Sequence, residues 1–361
     1  MKKSLIANGI NITVSILFLV VVFLLELNPL GLITAFIVTM TNVLLAIYSM
    51  SIQEYPVIKI GSVSGSAYFY NIATFILQIL TVVAALTDSI WVSLICLFAV
   101  LVYLECISLF LKDLFRAMRF HIAVTLSVSF VTLLFYCLLR IYRDYAFQIP
   151  TIPLAIIFMG LYVFFMLREK DFLKLTAYSA MFSIAVLLLS LGKYASQNIY
   201  STLLCIVGFT PVMFLLLLSA FYIEQTYKKA GVADISSVLK QVPVLGIGYI
   251  VGLLAILGFP PFSLFEGRLL ALQSAVTSQN TIAIILLVAV FILSSYFLLT
   301  KTLPKLLGER NEALLMVKAD KQSNVFIYIL LAIIVLMMIL IPGFMESLAS
   351  DARAYVLGVL S

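Results

Sequence analysis

The sequence predicts an all-α polytopic membrane protein of about eleven or twelve transmembrane helices, and three observations lead to that class. Hydrophobic residues make up 64% of the 361 positions and charged residues only 11%, where a water-soluble domain carries about 25% charge. Apolar runs of spanning length, about 20 residues each, recur from one end of the chain to the other. The few charges gather in the short breaks between those runs. A water-soluble globule is excluded.

The runs fall in order at 5–26, 29–50, 69–87, 89–111, 121–142, 148–167, 175–192, 199–223, 242–259, 281–300 and 323–345. The first follows Lys2 and Lys3, lacks a small-residue cleavage site and is too long for a signal core, so it reads as a retained helix. The stretch 262–278 is a twelfth candidate, short and charged at its start. Almost nothing remains for a soluble domain, and residues 1–361 read as a single transmembrane domain.

The net charge of +6 is a topology signal. With the N-terminus cytoplasmic, the cytoplasmic loops carry Lys59; Lys112, Arg116 and Arg119; Arg168, Lys170 and Lys174; and Lys228, Lys229 and Lys240. Arg140, Arg143 and Lys193 fall on the other side. That bias supports the orientation. Beyond Lys240 two outcomes stay open. If 262–278 spans fully, the basic loop 301–322, with Lys301 and Lys305, lands outside; if it is re-entrant or broken, the loop lands inside.

Chemistry at membrane depth is confined to a few positions. Between Leu257 and Leu272, Gly258, Pro260 and Pro261 interrupt an apolar run, and Glu266 and Arg268 follow. Paired prolines strip backbone donors, and broken helices carrying charge are where transporters place their working groups. Glu105 sits within an apolar run, and Lys112 and Arg116 follow at helical spacing near the same face. An intramembrane carboxylate marks a functional site by default; tying one helix to another is the alternative. Asp171 stands where a helix N-terminus would place a carboxylate.

Other chemistries lack their residues. Cys96, Cys106, Cys137 and Cys205 are scattered singly in apolar runs, away from the one histidine, His121, so no metal or iron–sulfur site is expected. There is no phosphate-cradling loop, dinucleotide fingerprint or nucleophile elbow. We expect no bound cofactor and no nucleic-acid partner.

Ordered together, these motifs resemble the antiporter-like, ion-translocating membrane subunits shared by respiratory complex I, energy-converting membrane-bound hydrogenases and Mrp-type cation/proton antiporters. The family's D-x-K-R-L-x-A-Y-S-S turn is similar to Asp171, Lys174, Leu175, Ala177, Tyr178 and Ser179, with Leu173 replacing the first basic residue. Its G-x-P-P-x-x-G-F-x-x-K signature lines up with Gly258, Pro260, Pro261, Phe265 and Arg268. The resemblance implies a pair of inverted five-helix repeats, here incomplete, with N-terminal helices at 1–68, a shortened first repeat at 69–167, a second repeat at 168–310 with its broken helix near 258–268, and a C-terminal loop and helix at 311–361. It also makes Glu105, Lys112, Arg116, Glu266 and Arg268 the ion-pathway candidates.

Against the family pattern, the chain lacks the K-x-x-x-x-P-F-H block after Arg143, has Ser183 near the place of a histidine, and carries arginine instead of lysine at 268. Arginine does not release its proton readily. Two functions remain open. One is an ion translocator, for protons or sodium, with a reduced path; the other is a structural subunit that seals a larger assembly. The expected setting is a redox-driven complex I-like or hydrogenase-type assembly, with other membrane subunits and lipid as partners. An Mrp-type antiporter subunit is the alternative. The expected location is a prokaryotic cell membrane, with the mitochondrial inner membrane as alternative.

Overall fold

The computed structural model describes residues 10, 13–18, 20–21, 24, 28–51, 59–60, 63–64, 66–87, 89–110, 124–145, 151–191, 195–227, 235–260, 262–277, 281–308, 332, 335–336 and 347–357. Helices dominate them, as expected. The one sheet among the described residues is a two-residue-per-strand hairpin, β1 (Lys59–Ile60) and β2 (Val63–Ser64), paired Lys59 with Ser64. The chain divides into two compact units: Met1–Ala146 with Asp320–Ile333 and Ser347–Ser361, and Phe147–Ala319 with Ile334–Glu346.

The first unit is built from α1 (Pro29–Ser51), α2 (Ser66–Leu86), α3 (Ile90–Phe110) and α4 (Val131–Tyr145). Asn28 caps α1 by accepting from the Gly31 amide at 2.7 Å, and Pro29 follows at the first helical position, where it loses nothing. Ser93 Oγ donates to Ala84 O at 2.9 Å and pins the start of α3 to the end of α2. A π-helical segment, Thr125–Phe130, leads into α4. Arg140, counted above among the loop charges, is in fact buried within α4. There it donates to Tyr136 Oη at 3.0 Å and to the Thr87 carbonyl at 3.4 Å, with Asp144 at 3.8 Å. A helix end that stays buried needs such partners. Outside this unit's core, Trp91, Ile95 and Phe98 form an exposed stripe along α3, each about two-thirds exposed. An apolar stripe of this kind is what lipid covers.

The second unit contains α5 (Thr151–Arg168), α6 (Phe172–Leu187), α7 (Ala195–Tyr227), the single turn α8 (Val238–Gln241), α9 (Pro243–Leu257), α10 (Ser263–Thr277) and α11 (Thr281–Leu307). Helix α6 starts three residues before the expected 175 because Asp171 caps it, its carboxylate accepting from the Lys174 amide at 3.0 Å. Helix α7 is the axis. Its 33 residues run about 50 Å, its segment Thr202–Glu224 is wholly buried, and α6, α9 and α10 all pack on it. Helix α11 is the opposite case, an apolar helix that is mostly uncovered, turning Ile282, Ile285 and Ile292 outward.

Three contacts fix how these helices alternate. Glu224, near the end of α7, accepts from the Leu173 amide at the start of α6 at 2.8 Å. Lys301, near the end of α11, donates from Nζ to the carbonyls of Met166, Leu167 and Glu169 at 2.6, 2.7 and 2.9 Å. The turn α8 packs on α11 and runs directly into α9, Val242 N donating to Val238 O at 2.8 Å. The ends of α5, α7 and α11 and the start of α6 therefore share one face of the unit. Helix α11 is 27 residues, about 40 Å, so its start lies at the opposite face. With α7 ending at the first face and α11 starting at the second, α9 and α10 together cross only once. They are the two halves of one broken helix, each 15 residues, about 22 Å. This decides between the two outcomes left open for the chain after Lys240. It also corrects the reading of Lys301 and Lys305 as loop residues, since α11 continues to Leu307, its last turns held by the Lys301 bonds.

Candidate functional site

The break is made by local chemistry. Gly258 closes α9 in the left-handed region, φ 78°, with its amide on Ala255 O and the Phe259 amide on Leu254 O, both at 3.0 Å. This is a Schellman closure, which favours glycine, and the proline that follows cannot continue the helix. Pro260 is exposed; Pro261 lies outside the described residues. A Cβ on Gly258 would lie 3.1 Å from Arg268 Cδ and 3.2 Å from its Nη1. Glycine is required here by the backbone angle and by the arginine.

Arg268 is 6% exposed. Helical side chains lean toward the N-terminus, which sends this one back from α10 to the break. Its Nη2 donates to Ser183 Oγ on α6 at 2.7 Å. Ser183 in turn donates to Ser179 O at 3.0 Å, Ser179 Oγ to Thr176 O at 2.7 Å, and Thr176 Oγ1 lies 3.0 Å from Tyr249 Oη. One face of α6 thus carries a buried stripe of hydroxyls from Tyr249 to the arginine. Beside it, Ser179, Ser183, Arg268, Phe291, Ser294 and Ser295 help line a small cavity with room for about one water-sized guest. Phe182 meets Phe291 edge-on at 5.6 Å and closes one wall. Among the described residues no carboxylate lines this cavity, and Ser183 is the one hydrogen-bond partner of Arg268.

Residues 117–295 match the family model described as "NADH:quinone oxidoreductase/Mrp antiporter, TM". A Staphylococcus epidermidis protein named as an antiporter subunit, mnhD2, is 27% identical over 191 residues, which is 52% of this chain and 37% of that protein. The chain thus spans well under half the length of the curated relatives it matches. In fold it is similar to a chain of respiratory complex I from Thermus thermophilus, with TM-score 0.70 and 13% identity, covering 96% of this chain and 95% of that one. It is equally similar to a chain of the Mrp complex from Dietzia sp. DQ12-45-1b, with TM-score 0.71 and 12% identity, covering 99% and 92%. Over residues 117–295, just under half of its length, the chain thus matches the antiporter-like membrane-subunit family.

In this antiporter-like subunit the sequence-selected residues separate. Gly258, Pro260 and Arg268 come together at the break. Glu266 is two residues from Arg268 but points away and is exposed. Glu105 belongs to α3 in the other unit, its side chain outside the described residues; Lys112, Arg116 and His121 also lie outside them. The buried thiols Cys96, Cys137 and Cys205 are unbonded. Sequence reasoning gave no role to Glu224 or Tyr249 and took Lys301 for a loop charge. Their partners are 51 to 135 residues away; Glu224 and Lys301 each end an apolar run, which was the one available signal, and Tyr249 lies inside a run and gives none.

Proposed function

We propose that this antiporter-like subunit works within a multi-subunit, redox-driven complex I-like or hydrogenase-type ion-pumping assembly, sealing and joining it without a complete ion path of its own. The observation that carries this reading is the charge at the broken helix. It is an arginine, which holds its proton, supported by a single serine hydroxyl. Alongside it, the buried core of α7 has no Asp, Glu, His, Lys or Arg from Ala195 to Ile223. Ion relays through membranes use exchangeable carboxylates, lysines and histidines, and α7 offers none before Glu224. The basic face carrying Arg168, Lys170, Lys240 and Lys305 is assigned to the cytoplasm of a prokaryotic cell membrane. Residues 69–167 and 168–310 are assigned as the two repeats.

The test is ion flux per electron in vesicles holding the intact assembly, with wild type compared against Glu105→Gln and Arg268→Met at matched assembly. Unchanged flux in both variants is expected. A fall in flux with the assembly intact favours the second reading, a working translocator with a reduced path. That reading is supported by the hydroxyl stripe Thr176, Ser179 and Ser183 leading to Arg268, and its Mrp-type form by the name of the Staphylococcus relative.

A further inference from the structure

We propose that the cavity beside Arg268 is a binding site for one small monovalent anion of the chloride class. A guanidinium removed from water needs a counter-charge or a full set of acceptors, because a lone desolvated ion is strongly unfavourable. Arg268 has five N–H donors, is 6% exposed, and among the described residues gives one hydrogen bond, to the neutral Ser183. The side chain lines the cavity, so donors left over face it and not a carboxylate.

The rest of the wall suits a single-atom anion. Ser294 is buried and Ser295 half-buried on α11, and both line the cavity opposite α6. The Ser294, Ser179 and Ser183 hydroxyl protons are committed to backbone carbonyls, at 2.9, 2.7 and 3.0 Å. Among the described residues Ser295 Oγ donates to no carbonyl, and it can turn its proton inward. The remaining lining is Met166, Phe182, Ile256, Leu257, Phe291 and Leu298, which offers no site for a hydrated divalent ion. A polyatomic anion such as phosphate exceeds a space sized for one water. Cations are repelled by the arginine. The assignment stands whether or not the subunit conducts ions.

The probe is chloride, with gluconate replacing it at constant ionic strength. In the full-length chain held in lipid nanodiscs, radiolabelled chloride is expected to bind at one saturable site per chain. The thermal midpoint should rise by about 2–4 °C when chloride reaches tenfold its dissociation constant. Arg268→Met should lose the site. Ser295→Leu, which fills the cavity and keeps the arginine, should weaken chloride binding at least tenfold in a folded protein, so a misfolded Arg268→Met does not leave the matter undecided. Absence of saturable binding in wild type, or equal binding in Ser295→Leu, overturns the proposal and leaves a cavity that holds only water.

Discussion

Gly258 and Lys301 show what single residues do in this fold. Replacing Gly258 by alanine puts a Cβ in the left-handed region at φ 78° and 3.1 Å from Arg268 Cδ. The backbone effect alone costs about 1–2 kcal/mol, and Arg268 must also shift. Gly258→Ala should therefore lower the unfolding free energy of the detergent-solubilised chain by roughly that amount or more. Lys301→Met should destabilise by about 1.5–3 kcal/mol, the worth of one hydrogen bond from a charged donor, because the three bonds share a single ammonium and water reaches the freed carbonyls in part. Both values come from denaturant titration. These two residues also mark the range of what the sequence discloses. Gly258 is legible because its meaning is local, a glycine before a proline at the end of an apolar run. Lys301 is not, because its acceptors lie more than 130 residues away in the chain and nothing in its neighbours predicts them.

At the scale of elements, hydropathy located the helices well and misjudged their ends. The expected run 148–167 is α5, Thr151–Arg168, and 242–259 is α9, Pro243–Leu257. The expected 281–300 stops seven residues short of α11, because a hydropathy window ends at lysine while the helix ends only after that lysine has found its carbonyls. The expected first and last runs, 5–26 and 323–345, lie largely outside the described residues. What hydropathy cannot show is which helices touch. The α7–α9 crossing rests on Gly252, where a Cβ would stand 3.0 Å from Leu216 Cδ1, 3.2 Å from its Cβ and 3.3 Å from its Cα. Part of that contact is backbone, so it cannot be relieved by a rotamer change. Gly252→Val should lose about 1–3 kcal/mol through overpacking. Leu216→Ala in the same chain should recover only part of the loss, the remainder reflecting the backbone contact. The measurement is a double-mutant cycle on thermal or denaturant unfolding.

At the scale of the molecule, the broken helix has a consequence for sidedness that labelling can read. Membrane insertion orients a helical protein by its loop lysines and arginines, and counting them along this sequence fails after Lys240 because the count depends on whether 262–278 spans. The Lys301 contacts remove that dependence, since they place the end of α11 beside the end of α5. Lys170 and Leu307, both exposed, then belong to one face, and Thr281, exposed at the start of α11, belongs to the other. In a version with the four native cysteines replaced by serine, single cysteines at Lys170, Leu307 and Thr281 should react with a membrane-impermeant maleimide according to this pairing. In right-side-out vesicles Thr281→Cys should label readily, while Lys170→Cys and Leu307→Cys should label only after permeabilisation; inverted vesicles should reverse the pattern. Labelling of Leu307→Cys in right-side-out vesicles, with Thr281→Cys protected alongside Lys170→Cys, would mean that α9 and α10 each cross the membrane. The Arg268 site would then lose its position at the junction of two half-helices, so the sidedness of three surface positions tests the geometry of a buried one.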